Sequence, residues 1–313
     1  MHIASTLISA AVGGAFGTGS GGAVVASGAK LHKEKSPKPL LMGAAGAAVF
    51  AAQMMNFTIA GTGSSGHIGG GFLLAAVLGP VPAYLVMSVI LTVQCLLFGD
   101  GGLLALGCNL FNMGIVPCFL IYPLLKKLLG TKMRIPAAAL GGALSMFTGA
   151  LCVVGEALLS GANGMDVSAF IINMVGIHAA IGVGEGLITA GLLAAYDKAN
   201  AYGEKTAVAG TLGLAAVTSG LLSAFASANP DGLEWSVMRV AGAAEHTSAA
   251  HVLLDNIQSA TTLLPDYAFR AVENALSSGA AGLIGCAAVF ALAVLTGAVL
   301  TGAVLTRTAK AAA

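Results

Sequence analysis

The chain of 313 residues is 57% hydrophobic and only 9% charged, with a formal net charge of +1. A soluble globular chain carries about 25% charged residues, so this one lacks the polar side chains to clothe a water-facing surface. The small net charge is silent on nucleic acid, but with no basic stripe and no interleaved aromatic platform, no nucleic-acid partner is expected.

In chain order, apolar segments fall at about 6–29, 40–60, 68–98, 103–125, 135–160, 167–196, 207–228 and 280–305. A run of about 20 apolar residues crosses a bilayer as a helix. The expected fold class is therefore all-α, a polytopic helix bundle in the cell (inner) membrane, with the lipid bilayer as its solvent. The 44 glycines read as close helix packing, because small residues let backbones approach where no hydrophobic effect drives helices together. The five cysteines, Cys95, Cys108, Cys118, Cys152 and Cys286, form no C-x-x-C pair and read as small buried hydrophobes.

Basic residues fix the orientation. Lys30, Lys33, Lys35 and Lys38 form one cluster, and Lys126, Lys127, Lys132 and Arg134 another. Lys198 and Lys205 follow the segment 167–196, and Arg307 and Lys310 close the chain. Short loops rich in Lys and Arg lie on the cytoplasmic side. All four clusters fall inside if 68–98 crosses twice, breaking at Gly79-Pro80-Val81-Pro82, where glycine and proline interrupt a helix. The result is nine spans, with the N-terminus outside and the C-terminus cytoplasmic. The element at about 68–79 is too short to cross alone and must be buried among its neighbours. Arg239 and Arg270 are left in a long outer loop, where the charge rule is weak.

The first segment has an alternative reading as a signal peptide cleaved near Val25-Ala26-Ser27. Such a peptide carries a basic n-region, whereas here the lysines follow the apolar run, which favours an uncleaved helix. Met1 is expected to be retained, because initiator removal needs a small second residue and His2 is large. The chain divides into a seven-helix bundle, 1–200, and a second part, 201–313, with two helices around an outer loop, 229–279. That loop is acidic, with Asp231, Glu234, Glu245, Asp255, Asp266 and Glu273 against two arginines. No convincing internal repeat is present, which argues against a secondary transporter built of inverted halves.

Of six histidines, His32 lies in a basic loop and reads as solvated, and His246 and His251 are spaced too loosely to share a helix face. His2 is different. A free α-amine, the first peptide nitrogen and the imidazole at position 2 close a five- and a six-membered chelate ring in one plane. That field suits Cu(II) and Ni(II). A fourth nitrogen is needed, and His67 supplies a candidate on the same outer side, in the Gly/Ser-rich stretch 61–71, whose glycines allow the close approach of a tight loop.

The start Met1-His2-Ile3, the loop Thr62-Gly63-Ser64-Ser65-Gly66-His67 and the runs 94–103 and 106–114 together resemble the nickel/cobalt substrate-capture subunits of energy-coupling factor transporters, the CbiM/NikM type. The stretch from His178 through Glu185 to Thr189 also fits that pattern. Pro230-Asp231-Gly232-Leu233-Glu234-Trp235 is similar to the outer-loop motif of the small NikN-type partner, so the chain resembles a capture subunit fused to its auxiliary subunit. The resemblance implies a metal held in a plane by the amine and peptide nitrogen of the N-terminus, the position-2 imidazole and a loop imidazole, here Met1, His2 and His67. It also implies Ni(II), or alternatively Co(II), as transported substrate, with a CbiQ/NikQ-type coupling protein and two ATPase subunits as partners. One departure is that family members usually continue with an acidic residue and Gly-Phe-Leu, where this chain reads Ile3-Ala4-Ser5-Thr6.

Asn109, Asn112, His178 and Glu185 are polar residues within apolar segments. They are candidates either to orient the ligand imidazoles or to bond helix to helix. Gln53, Met54 and Met55 could form a soft-metal patch, though Met as a packing residue is the simpler reading. No G-x-x-x-x-G-K-[ST] phosphate loop is present, and no nucleophile arrangement stands out, so the chain is expected not to be an enzyme. Two rival functions remain open. One is a self-contained proton-coupled permease using Glu185 and His178, and the other an assembly or sensor protein with no transported ligand.

Overall fold

The computed structural model describes residues 2–34, 38–161, 165–240, 246–270 and 275–302. Met1, Lys35, Glu245, Glu273 and the terminal basic pair Arg307 and Lys310, on which several expectations rest, lie outside the described residues.

The chain is mostly helical. In order come α1 (Ala10–Glu34), α2 (Pro39–Gln53), β1 (Phe57–Ile59), β2 (Ser64–Gly66) and α3 (Gly71–Leu78). There follow α4 (Pro80–Phe98), α5 (Leu106–Leu129), α6 (Arg134–Leu159) and α7 (Val167–Asn200). The second part holds α8 (Glu204–Gly220), α9 (Gly232–Met238), α10 (Ala249–Thr261) and α11 (Ala275–Leu300).

Among the described residues five helices, α4, α5, α6, α7 and α11, are long and apolar enough to cross a bilayer. The sequence pointed to nine spans. The difference lies in α1, which is glycine-rich and ends in Lys30, His32, Lys33 and Glu34, and in α2, α3 and α8, with 15, 8 and 17 residues. Most residues of α2 are buried. A helix enclosed by other helices need not present a full-length apolar stretch to lipid.

The break between α3 and α4 falls where the sequence placed it. Gly79 sits at φ +83°, a backbone angle that L side chains rarely adopt, and Pro80 opens α4, where a missing N–H costs nothing. α4 ends in a π-helical turn, Gln94–Phe98, and α5 passes into a π-helical stretch, Phe111–Ile121, around Pro117. Wide turns of this kind recur at functional sites, and here they carry the buried Gln94 and Asn112.

Small residues set the helix spacing. α6 lies along α7, and α2 along α8 and α11. A methyl group on Gly107 of α5 would stand 2.3 Å from the backbone nitrogen of Gly17 in α1. Backbone cannot swing aside as a side chain can. Gly107→Ala should therefore destabilise the bundle by about 1–3 kcal/mol, the range for overpacking a tight contact, and lower the thermal midpoint of the detergent-solubilised protein. An unchanged midpoint would show that α1 and α5 do not touch there.

The described parts of the connection 229–279 are folded, carrying α9 and α10. Asp231 caps α9: its Oδ1 accepts from the N–H of Leu233 (2.8 Å) and of Glu234 (2.9 Å), and Glu234 Oε2 accepts from Asp231 N–H (3.3 Å). This reciprocal box is written in the order Asp231-Gly232-Leu233-Glu234.

Candidate metal centre

The N-terminal segment is threaded into the bundle by its own backbone. Ile3 N–H donates to Asn109 Oδ1 at 2.9 Å, and Ile3 O accepts from Gly102 N–H at 2.8 Å. Ile3 and Ile8 are fully buried. The second part grips the same segment, for His246 N–H donates to Thr6 O (2.8 Å) and His251 Nε2 to Ile8 O (3.0 Å). Peptide groups so far from water need such partners, and satisfying them fixes where His2 stands.

His67 follows a β-hairpin rather than a loose glycine loop. β1 and β2 pair antiparallel, Phe57 opposite Gly66, and the chain before α9 lies against β2. Ser65 N–H donates to Pro230 O (2.8 Å), Ser65 Oγ to Asn229 O (2.8 Å) and Trp235 Nε1 to Thr62 O (3.0 Å). Beyond His67 the chain enters the bundle, and Gly69 and Gly70 donate their N–H groups to the two oxygens of Glu185, at 2.5 and 3.1 Å. Gly70 takes φ +73°, which lets consecutive amides face one carboxylate.

These two arms bring the rings of His2 and His67 together, nearly parallel at 11° with centroids 5.2 Å apart. His67 Nδ1 lies 3.0 Å from Ile68 O. A carbonyl only accepts, so Nδ1 carries the proton and Nε2 keeps a lone pair. Nε2 faces Asp231 Oδ2 at 3.9 Å. His2 Nε2 lies 3.1 Å from Gln94 Oε1, and its Nδ1 3.1 Å from Asp100 Oδ1. Gln94 presents that oxygen because its Nε2 donates to Gln53 Oε1 (2.9 Å), while Gln53 Nε2 donates to Gly69 O (2.8 Å). Two glutamines thus tie the His2 ring to the loop that carries His67.

Electrostatics favour a cation. The rings border a cavity of about 870 Å³ also lined by Asp100, Asp231, Glu234 and Asp255. With Asp266 the carboxylates of the lining outnumber its one arginine, Arg270, and such an excess of negative charge raises the local concentration of cations. Burial first, and then neighbouring positive charge including His2, lowers the pKa of His67 to about 3. Burial alone would raise the Asp100 carboxyl, but the adjacent His2 and a hydrogen bond from Tyr267 OH (2.6 Å) hold it below the usual carboxylate range. Asp231 is likewise held low against its burial, by nearby positive charge and the Glu234 N–H. Among the described residues no three His, Cys, Asp or Glu side chains converge on one point, so side chains alone do not complete a metal shell here.

The remaining sequence candidates separate. Asn109 holds the N-terminal segment and Glu185 the His67 loop. His178 donates from Nδ1 to Met174 O at 2.8 Å, and its ring lies against Gly232, where a Cβ would stand 2.8 Å from Cε1. Asn112 instead donates to Glu156 Oε2 at 2.8 Å. The sequence did not single out Asp100, Asp231, Gln94, Tyr267 or Glu156 as candidates for the site, although the runs 94–103 and 230–235 that carry the resemblance contain the first three. The capping-box spacing marked Asp231, and Glu156, a carboxylate inside an apolar segment, met the same criterion that singled out Glu185.

A helical membrane bundle that folds its own N-terminus and a hairpin over an acidic cavity, with two imidazoles face to face, has the build of a membrane protein that handles metal cations. Residues 2–201 match the family described as the cobalt uptake substrate-specific transmembrane region, CbiM, and residues 204–302 match the PDGLE domain. A fused nickel transport protein NikMN of Archaeoglobus fulgidus is 32% identical over 294 residues, 93% of this chain and 96% of its own length. A metal transport protein of Haloquadratum walsbyi is 36% identical over 196 residues, 61% of this chain and 88% of its own. The crystal structure of a truncated transition metal transporter superposes with a TM-score of 0.52 at 26% identity, covering 63% of this chain and 99% of that one. The chain belongs to the CbiM family: it is a membrane subunit for nickel or cobalt transport and not an enzyme.

Two outcomes follow from the geometry. Glu185→Gln sets an amide donor against the N–H groups of Gly69 and Gly70. Leaving a buried amide unpaired costs about 1–3 kcal/mol, so hydrogen-exchange protection of those two amides should fall by roughly 10–100-fold. Unchanged protection would mean the carboxylate does not hold the loop. His67, with its pKa lowered from 6.5 to about 3, stabilises the fold fully above about pH 6.5, and this contribution is lost as the pH falls towards 3. Its imidazole resonances should accordingly not titrate between pH 5 and 8.

Proposed function

We propose that this chain is the substrate-capture subunit of an ATP-driven energy-coupling factor importer for Ni(II), with Co(II) as the alternative cargo. In this reading the N-terminal amine and peptide nitrogen, His2 and His67 hold the metal in a planar four-nitrogen field. The observation that carries it is the stacked pair His2–His67, 5.2 Å apart, between residues far apart in the chain and close enough for one ion to take a nitrogen from each ring.

Hydrogen bonds to the other ring nitrogen of each histidine support the required tautomers. Nδ1 of His67 is committed to the Ile68 carbonyl, which leaves Nε2 for the metal. At His2, a proton on Nε2 donated to Gln94 Oε1 leaves Nδ1, the nitrogen that closes the six-membered chelate ring. Asp100 faces that nitrogen. The ion takes the place of this contact, and the Asp100 charge remains beside it. Fixing the second nitrogen of a ligand imidazole in this way is a common means of orienting it. A square-planar field disfavours Zn(II), which prefers tetrahedral ligation. Nickel is favoured over cobalt because the chain carries the auxiliary part and resembles a fused nickel transport protein along almost its whole length.

The reading extends to topology and partners. Nine spans place the N-terminus and the site outside and the C-terminus in the cytoplasm, with α3 as the half-depth element. Residues 1–200 form the capture bundle, and 201–313 the auxiliary part. The connection 229–279 acts at the mouth of the site: Pro230 and Trp235 brace the hairpin, His246 and His251 hold the N-terminal segment, and Asp231 faces His67. A transmembrane coupling protein of the CbiQ/NikQ type and two ATPase subunits supply the energy.

The test is a Ni(II) and Co(II) titration of the purified chain with its native N-terminus against a variant carrying two extra Ala residues before Met1, which avoids placing a histidine at position 3, where amine, two peptide nitrogens and imidazole would form a new planar chelate. The extension should abolish tight binding, since it displaces the amine and the position-2 imidazole from the chelate. Equal binding by both would place the ligands elsewhere. Asp231→Asn should weaken binding by roughly 10–100-fold, the usual effect of losing an outer-shell partner, while the preference between the two metals persists. Wild-type affinity in that variant would remove the auxiliary part from the site.

A further inference from the structure

Outside the candidate metal centre lies one further buried polar cluster. Glu156 on α6 is 1% exposed and Asn112 on α5 is 2% exposed. They meet along one edge, Asn112 Nδ2 donating to Glu156 Oε2 at 2.8 Å. The other atom of each group, Glu156 Oε1 and Asn112 Oδ1, is buried and has no hydrogen-bond partner.

Both orphan atoms are acceptors. An unpaired buried acceptor costs about 1–3 kcal/mol, and an ionised carboxylate inside a membrane bundle costs more unless a cation pairs with it. Among the described residues no Lys, Arg or His pairs with Glu156. The titratable groups around it are the thiols of Cys108, on α5, and Cys152, one turn back on α6; the Cys108 S–H is a weak donor towards the Glu156 carboxylate, and neither thiol brings positive charge. Ser160 Oγ, one turn further along, is itself without a partner and so supplies no donor. What the cluster lacks is a single hydrogen.

We propose that Glu156 is a proton-binding site within the membrane: an un-ionised carboxylic acid whose O–H, on Oε1, donates to Asn112 Oδ1. One proton taken up by the carboxylate turns two unpaired acceptors into a donor and its acceptor. It closes a cyclic acid–amide pair that joins α5 to α6 without leaving a charge in the bilayer. Asn109, one turn earlier on α5, holds Ile3 (2.9 Å), so the pair braces the helix on which the N-terminal segment rests.

The test uses the full chain in lipid nanodiscs, by infrared difference spectroscopy of wild type against Glu156→Gln at neutral pH. The carbonyl stretch of a hydrogen-bonded carboxylic acid should be present in the wild type and missing from the variant, with the carboxylate bands unchanged. The variant should keep the wild-type thermal midpoint, because the Gln amide donates to Asn112 Oδ1 as the acid does. Loss of carboxylate bands instead would show Glu156 ionised and overturn the proposal. So would a metal stoichiometry that falls by one ion in the variant, which would make the cluster a cation site. If Glu156→Gln does not fold, Asn112→Leu serves in its place. Removing the acceptor should shift the acid band to the frequency of an unbonded carboxylic acid, and an unmoved band would overturn the pairing.

Discussion

A chain that enters a membrane bundle as anything other than a helix brings peptide groups that lipid cannot satisfy. Two such segments lie side by side here, residues 2–8 and 64–70, and the site depends on how their backbones are paired. Glu185 receives two amides of the His67 loop, Gln53 donates to its Gly69 carbonyl, and Pro230 accepts from the hairpin. Asn109, Gly102, His246 and His251 do the same for the N-terminal segment. None of these contacts requires a metal, and together they leave two imidazole rings little freedom other than to face each other. The candidate centre is in this sense preorganised by backbone hydrogen bonding, which lowers the entropy cost of ordering that would otherwise oppose binding.

The same contacts explain why the second part of the chain belongs to the site and not beside it. The chain before α9 lies against the hairpin, α9 begins at the carboxylate that faces His67, and α10 presents Gln258 to the loop that bears Asp100. Gln258 Nε2 reaches Gly101 O at 2.7 Å and Cys95 O at 3.1 Å, and its Oε1 accepts from Leu103 N–H at 3.1 Å. Tyr267, at a positive φ of 57°, stacks on Phe98 with centroids 4.5 Å apart and donates to Asp100. A non-glycine residue at such an angle is costly and persists only where its surroundings hold it. The second part of the chain is a clasp that holds the loops of residues 2–201 by their backbones.

Much of this was legible in the sequence. Composition and apolar runs determine a helical membrane bundle, because a chain with 9% charged residues has no other solvent. Gly79-Pro80 determines a helix break, because one residue favours φ > 0 and the other lacks an N–H. Asp231 to Glu234 determines a helix start. His2 and His67 were drawn together by chelate chemistry and shared sidedness, from residue types and the lysine clusters alone.

Tertiary structure decided the rest. The stretch 61–71 reads as a glycine loop, and only its pairing with β1 and the chain at 229–231 makes it a hairpin. Apolar runs pointed to nine spans, whereas five of the described helices are long and apolar enough to cross a bilayer; α2 and α3 are short and largely enclosed by their neighbours, which sequence alone does not show. Gln94, Gln53, Asp100 and Glu156 carry no local signal of a partner; each acts through a residue 41 to 98 positions away or on another helix. Periodicity and capping are local and so survive in the sequence. Which polar atom meets which across a bundle is set by packing, and only the folded chain contains it.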